Sequence, residues 1–401
     1  VSETLTLVFK GVRVVFASSI RQGLMMKHLM FVTNFLPHVG GLEYYVDDLS
    51  KTLKKYWNDE IHIVCFDDKE SISEFNGIYS VHRIKRVASV AGVFAIPNPF
   101  SLFRVIRNLR LRVGNVDMVW THTRFFVSAI LGLFYAKLFR LKSLHIEHGS
   151  SYVAHSNPVI RFCSRAWDQV FGRSVLSFSE QVVVVSPKGI DFTSALGAKS
   201  PSFIPAGIDV NLWRPSVKFF EIPERPIILY VGRLLPGKGL DLLLHAFNDD
   251  AFAHCTLLIA GDGPSRTRLE LLAKELDLGD RVKFLGSVQR TELFKLYGQS
   301  SLFVNPSHSE GGPLTVLEAL ACGTAVVSTH VGCVQMYLQA SGNHGVLTDE
   351  VSVEALRKGL TLGLKAFKVQ NRLDCSGKIE DAFSWHGTAQ SLRNFGLKHR
   401  E

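Results

Sequence analysis

The chain lacks most features that would force an unusual architecture. Its six cysteines, at 65, 163, 255, 322, 333 and 375, never fall at zinc-site spacing. A chain of 401 residues with 46% hydrophobic residues fills its cores without disulfide staples, so the thiols read as reduced. No apolar run reaches spanning length. The best candidate, Phe125 to Ala136, is about half of what a bilayer needs. The opening residues do not form a secretory leader pattern. Together these absences set the expectation of a cytoplasmic protein. Low-complexity tracts, short internal repeats, zinc-finger patterns and RNA-binding signatures are also missing. The formal net charge of +9 and a pI of about 9.2 therefore point to an anionic substrate or an anionic membrane face before nucleic acid.

What is present is an alternation of strands and helices. Residues 1–25 stand apart, with Met25-Met26 directly before the first clear strand. Either the native start is Met26, or Thr4 to Ala17 is a genuine extra β-like segment. From there, His28–Thr33 reads as a strand, Gly40-Gly41 as a loop and Leu42–Tyr56 as a helix with a 3.6-residue apolar period. Ile61–Phe66, Met118–Trp120, Leu144–Ile146 and Val182–Val185 read as buried strands, the last from four consecutive valines. Pro205, Gly207, Pro215, Pro223 and Pro226 then crowd a short stretch, which marks a linker. Alternation resumes with strands 227–231, 256–260, 282–285, 302–305 and 325–328 and helices 240–247, 265–276 and one from Pro313. The pattern predicts two Rossmann-like parallel-sheet domains, 26–210 and 227–384, joined by a 211–226 linker and facing a cleft. Ligands in such sheets sit beyond the carboxyl ends of the strands.

Chemistry concentrates in Asn305-Pro-Ser-His-Ser-Glu-Gly-Gly-Pro-Leu-Thr-Val-Leu-Glu318. Pro313 suits the first helical position, and Leu314, Leu317 and Leu320 form its apolar stripe. Glu310 then lies in the preceding loop and Glu318 in the second turn, roughly 7 Å along the axis from Pro313. Between them, the N–H groups of Gly311 and Gly312 at a helix start can take an anion. The set suits a nucleotide sugar: diphosphate on the helix end, ribose hydroxyls on Glu318, sugar hydroxyls on Glu310. A second segment, Tyr230-Val-Gly-Arg-Leu-Leu-Pro-Gly-Lys-Gly239, puts Arg233 and Lys238 at a strand's end, where cations neutralise a departing diphosphate. It imitates a Walker loop, yet Gly239 stands where magnesium needs a Ser or Thr. Gly40-Gly41 is a third, weaker phosphate loop that lacks the G-x-G-x-x-G spacing. His122, His145, Glu147 and His148 form the fourth group. It lacks the helical H-E-x-x-H spacing, and His148, followed by Gly149 at a strand's end, is its best functional candidate.

These residues resemble the retaining nucleotide-sugar glycosyltransferases of GT-B fold, family 4 (glycosyl transferases group 1), from Met26 to about Phe395. The most specific element is the acid–x7–acid string Glu310 to Glu318. Val231-Gly-Arg and Lys238-Gly resemble the family's phosphate-contacting Arg and Lys. Ala260-Gly-Asp-Gly-Pro264 and Phe284-Leu-Gly-Ser-Val288 match its strand-end loops, which implies donor contacts at Gly261, Gly286 and Val288, the last two near the base. Ile204-Pro-Ala-Gly-Ile-Asp209 departs from the family's pattern by Ala206, and Gly312 is smaller than is usual. The resemblance implies that His148 lies near the transferred sugar and that a last helix, about 385–398, crosses back onto the first domain. It implies transfer with retention and no metal or other cofactor beyond the nucleotide sugar. In that scheme Arg233 and Lys238 stabilise the leaving phosphate and Glu310 orients the sugar.

Three other readings compete. A glycosidase also uses two carboxylates but needs no phosphate loops. A nucleotide-sugar epimerase or an inactive glycosyltransferase-like subunit would share the fold. For the acceptor, Arg104, Arg107, Arg110, Arg112, Lys137, Arg140 and Lys142 lie beside apolar residues such as Phe125-Phe126 and Leu138-Phe139. Such a face suits anionic lipid, or it is an ordinary helix pair with a buried apolar side. The expectation is a peripheral enzyme on the inner face of the plasma membrane that extends a saccharide or lipid-linked acceptor in cell-surface polysaccharide or glycolipid synthesis.

Overall fold

The computed structural model describes residues 6–9, 12–15, 24–38, 40–90, 94–153, 157–213, 225–366 and 372–397. Much of the 1–25 segment and most of the expected 211–226 linker, with Pro215 and Pro223, lie outside the described residues. The chain divides into two compact units, residues 1–206 with 385–401, and residues 207–384. Near the amino terminus, β1 (Thr6–Phe9) and β2 (Val12–Val15) pair antiparallel as a separate sheet.

The first unit runs β3 (Lys27–Phe31), α1 (Gly41–Trp57), β4 (Glu60–Asp67), β5 (Ser71–Phe75), β6 (Ser80–Val90), β7 (Phe94–Pro97) and α2 (Pro99–Asn108). It continues with β8 (Met118–His122), α3 (Val127–Leu138), β9 (Lys142–Glu147), α4 (Pro158–Trp167), α5 (Arg173–Phe178), β10 (Gln181–Val184), α6 (Pro187–Ala195) and β11 (Ser202–Phe203). The sheet order is β11-β10-β9-β8-β3-β4-β6-β5, with β7 also on β6. Every pair is parallel except β5–β6 and β6–β7. The expected parallel sheet is present, and β5 and β7 add an antiparallel edge on β6. Ser71-Ile-Ser-Glu-Phe75 carries no apolar run, so its strand character comes from pairing with β6.

Local chemistry sets several helix starts. Asn98 and Asn157 each precede a proline, and each side chain accepts from two backbone N–H groups of the helix that follows, α2 and α4 respectively. The core packs Leu29, Phe31, Val64 and Val119 of the sheet against Val105, Tyr135 and Ala136 of the helices.

The second unit holds α7 (Val210–Trp213), β12 (Ile227–Val231), α8 (Leu240–Phe247), β13 (Thr256–Ala260), α9 (Arg266–Glu275), β14 (Val282–Gly286) and α10 (Arg290–Gln299). Then come β15 (Leu302–Asn305), α11 (Leu314–Ala321), β16 (Ala325–Ser328), α12 (Val334–Ala340), β17 (Gly345–Leu347), α13 (Val353–Ala366) and α14 (Arg372–Ala382). Its six strands are all parallel, in the order β14-β13-β12-β15-β16-β17. Ile228, Leu257, Ile259, Leu302, Val304 and Val327 are fully buried between helices on both faces. Pro313 caps α11 with extended ψ 104 and does not begin it, a one-residue correction to the expected helix start.

The last helix, α15 (Trp385–Leu397), belongs to the first unit. Arg393 reaches the fully buried Asp59 carboxylate through Nε at 2.8 Å and a second nitrogen at 3.1 Å. Asp59 also accepts from the Met26 amide at 2.8 Å and contacts His28 Nε2 at 2.9 Å. Burial alone would raise this carboxyl, but its bonds to His28 and Arg393 hold it below the usual range. Lys142 donates to Gly396 O at 2.8 Å and completes the seat.

Candidate functional site

In the second unit, chain order reverses between β12 and β15, which lie side by side. That makes the loops beyond their carboxyl ends the switch-point crevice where ligands of such sheets bind. The β12 loop carries Arg233 and Lys238; the β15 loop carries Glu310 to Pro313. The two loops are knitted by backbone, with His308 N donating to Gly237 O at 2.9 Å. A Cβ on Gly239, whose φ is +71, would lie 2.0 Å from Pro306 O. Only glycine permits that approach.

The expected phosphate cation and sugar acid meet here. Lys238 Nζ lies 2.6 Å from Glu310 Oε1, which also accepts from Ser307 Oγ at 2.8 Å. The same hydroxyl lies 2.9 Å from Asn305 Oδ1, so its one proton is shared between two acceptor oxygens at the end of β15. Arg233 is exposed on the β12 loop, and its carbonyl accepts from Tyr230 Oη at 3.3 Å. Burial, helped by the nearby Glu310 charge, pushes the Tyr230 phenol up and keeps it a neutral donor.

Gly261 and Gly286 also come together. Gly261 N donates to Gly286 O at 2.7 Å, and Gly261 has φ +149 with its Cα so close to β12 that a Cβ would fall 1.9 Å from Gly232 O. The loops after β12, β13, β14 and β15 therefore pack backbone against backbone around the crevice. Val288 lies half-buried in the loop between β14 and α10, and Leu314 opens α11.

Glu318 is not a solvated surface acid. It is buried on α11, accepts from Tyr297 Oη at 3.2 Å and lies 3.8 Å from an Arg290 nitrogen. Trp213 covers this group, 5.3 Å from the Arg290 guanidinium and 5.6 Å from the Tyr297 ring. Burial and the Glu318 charge push Tyr297 well above the usual phenol range. Arg290, Tyr297 and Trp213 escaped sequence reasoning because no local motif links them to Glu318. The only local hint was Arg290, two residues beyond Val288.

In the first unit, His148 and His122 follow or end adjacent strands β9 and β8. Their rings stack at 5.5 Å, with His122 Nδ1 and His148 Nε2 3.2 Å apart. Burial pulls His148 down to about 4 and His122 well below its usual value, so both rings are neutral at pH 7. Tyr45 of α1 packs edge-on to His148 at 4.8 Å and to Trp385 at 5.0 Å. Tyr45 Oη, His122 Nε2 and Trp385 Nε1 are buried without a hydrogen-bond partner among the described residues. Tyr45 and Trp385 were not among the expected site residues.

Next to this histidine pair, Arg124 lies 3.1 Å from Glu147 and 2.9 Å from Asp168, all three fully or almost fully buried. Glu147 Oε1 accepts from Gly149 N at 2.7 Å and so fixes the turn after His148. Burial by itself would raise Glu147, but Arg124 and His145 outweigh it and hold the carboxyl far below the usual range. Gly40 and Gly41 begin α1, Gly40 as its extended N-cap with no side-chain cap. Among the described residues no group of three or more His, Cys, Asp or Glu is placed to hold a metal ion. Nor, among the described residues, is any helix long and apolar enough to cross a membrane.

Two parallel-sheet units, each with glycine-bearing strand-end loops at a switch point, define an α/β protein of the GT-B class. Family models agree with this for most of the chain. Residues 39–212 match the model described as Glycosyltransferase Family 4, and residues 215–378 match the one described as Glycosyl transferases group 1. The chain belongs to this glycosyltransferase family and is a glycosyltransferase. An uncharacterized glycosyltransferase of Methanocaldococcus jannaschii is 26% identical over 92% of this chain and 97% of its own. A phosphatidylinositol N-acetylglucosaminyltransferase subunit from Arabidopsis thaliana is 24% identical over 91% of this chain and 80% of its own. Among solved structures, Anabaena HepE in complex with UDP-glucose has a TM-score of 0.71 at 16% identity, covering 92% of this chain and 99% of that one.

Proposed function

We propose that this glycosyltransferase moves a sugar from a nucleoside diphosphate to a saccharide or lipid-linked acceptor, with retention at the anomeric carbon. The observation that carries the proposal is the Lys238–Glu310 pair, 2.6 Å apart at the switch point of the second unit. A diphosphate bound there meets Lys238 and Arg233, and the sugar attached to it falls beside Glu310. Gly311, Gly312 and Pro313 supply the loop before α11, with amides that can face the phosphates. Glu318, held by Tyr297 and Arg290, serves the ribose. Gly261, Gly286 and Val288 line the nucleotide side, and Leu314 packs at the helix start. In the first unit, Gly40-Gly41 serves the phosphates, and His148, neutral at working pH, serves the sugar as a hydrogen-bonding group.

In this scheme the bond from the anomeric carbon to the diphosphate oxygen breaks, and a bond to the acceptor oxygen forms on the same face. The acceptor's proton passes to the leaving phosphate oxygen. Arg233 and Lys238 stabilise the charge that develops there. Glu310 orients the sugar and does not attack it. The only co-substrate is the nucleotide sugar, and no metal takes part. HepE in complex with UDP-glucose supports the donor class.

The lipid-linked acceptor is supported by the name of the Arabidopsis relative and by the surface of the first unit. Phe100, Phe103, Leu111, Phe134 and Leu138 are exposed near Arg107, Arg110, Arg112, Lys137 and Arg140. The same helices also bury an apolar side, with Val105, Leu109, Tyr135 and Ala136 in the core, so the exposed apolar residues are additional to an ordinary buried face. Their exposure favours peripheral binding to the cytoplasmic face of a membrane, in glycolipid or surface polysaccharide synthesis. The test is to incubate the protein with nucleotide sugars and lipid-linked acceptors and follow nucleoside diphosphate release, with the product anomer read by NMR. Release with an inverted anomer defeats retention. Isomerised nucleotide sugar without acceptor indicates an epimerase instead.

A further inference from the structure

The helix after the His148 loop is built the wrong way round for a water-soluble protein. In α4 and the π-helical turn that continues it (Asp168–Gly172), the residues turned to the body are Ser164, Asp168 and Gly172, spaced by four. The opposite stripe, Val159, Phe162, Ala166 and Val170, faces out, with Phe162 73% and Val159 66% exposed. A surface helix normally buries that stripe. The seat is nonetheless firm. Asp168 is tied to Arg124 at 2.9 Å, and Trp167 Nε1 donates to Phe125 O at 3.0 Å.

Charge decides what covers the stripe. Arg161, Arg165 and Arg173 are exposed beside it, and from Asn157 to Ser179 the only acid is the buried Asp168. A second copy that paired segment 157–179 with itself would bring arginines against arginines, and this segment has no exposed acid to meet them. An anionic bilayer takes both features at once: the apolar stripe enters the acyl boundary, and the arginines meet lipid phosphates.

We infer that residues 158–173 form a membrane-docking helix that inserts Val159, Phe162 and Val170 into an anionic lipid surface. The inference deepens the proposed lipid-side function and rests on it for its biological sense. It places the lipid surface a few residues beyond the His148–Gly149 turn, on an element tied to that turn through Asp168, Arg124 and Glu147.

The experiment is co-sedimentation of the full chain at low salt with vesicles of phosphatidylcholine alone or mixed with phosphatidylglycerol. The wild type should bind the mixed vesicles. Val159→Ser with Phe162→Ser should weaken that binding roughly tenfold or more, since each removes an apolar side chain that the bilayer would otherwise bury. Arg161→Gln with Arg165→Gln should cost roughly tenfold on mixed vesicles and leave the weak binding to neutral ones unchanged. Leu271→Ser, at an exposed leucine of the second unit, should change nothing. Every altered position is exposed, so folding is retained, and donor binding measured in parallel reports on the other site. Vesicle binding with no donor binding sinks the donor assignment and keeps this inference. The inference is overturned if the serine variant binds as the wild type does. It is equally overturned if sedimentation velocity shows a dimer without lipid that the serine variant abolishes.

Discussion

The Lys238–Glu310 contact allows function and scaffold to be separated by number. Consider Lys238→Met and Glu310→Gln. The lysine side chain is 29% exposed and the glutamate 17%, so the pair is partly screened. Its loss should cost about 1 kcal/mol of stability, and less than about 2 kcal/mol even with the hydrogen-bond share included. In Glu310→Gln the amide oxygen can still accept from Ser307 Oγ, which lies 2.8 Å from the native carboxylate. The loop stays joined to the β12 loop through the His308 amide and Gly237 O. For transfer the expected loss is much larger. A cation aimed at charge that develops only as the diphosphate departs contributes about 3–4 kcal/mol, or roughly 10²–10³ in kcat. The two variants should therefore unfold in urea close to the wild type and release nucleoside diphosphate at least a hundredfold more slowly. If turnover per folded molecule stayed within about twofold while stability fell by more than the bounds above, the pair would be a strut and the site assignment would be wrong.

Three further outcomes follow from the same geometry. Gly261→Ala puts a Cβ 1.9 Å from Gly232 O at φ +149, so it should destabilise the second unit by about 3 kcal/mol or more and abolish donor binding, as read by urea unfolding and calorimetry. Asp59→Asn leaves Arg393 buried against an uncharged partner and should cost about 3 kcal/mol at pH 7. The Asp59 carboxyl is depressed in the fold, so its contribution is present above the unfolded value of about 3.9 and fades as pH falls through the folded one; wild type and variant should converge in acid unfolding curves. His148 titrates at about 4, so the pH profile of turnover from 5 to 8 should keep its shape in His148→Ala while its height drops. A limb of the wild-type profile near the ordinary histidine value that vanished in the variant would contradict this.

What the sequence disclosed depends on whether the signal was local. Strands β12, β13, β15 and β16 agree with their expected bounds because each is a short apolar run buried on both faces and closed by a loop motif. The loops with Lys238 and Glu310 were legible for the same reason: glycine, charge and helix start follow in order. The partners of Glu318 were not. Arg290 and Tyr297 reach it from a neighbouring helix, and sequence spacing carries no signal for that contact. Arg393 and Asp59 are 334 residues apart. In α4 the 3.6-residue period was present, but a period identifies a stripe and not which side of the helix meets the protein. Strand β5 had neither alternation nor an apolar run, and only its register with β6 makes it a strand.

The central claim is that the switch point of the second unit holds a nucleoside diphosphate through Lys238. Titrating nucleoside diphosphates into the wild type and into Lys238→Met by calorimetry tests it most directly. One of them should bind the wild type, with affinity roughly tenfold or more weaker in the variant, the loss of one charge-assisted phosphate contact. Absence of binding by any nucleoside diphosphate, or equal affinity in the two proteins, would contradict it.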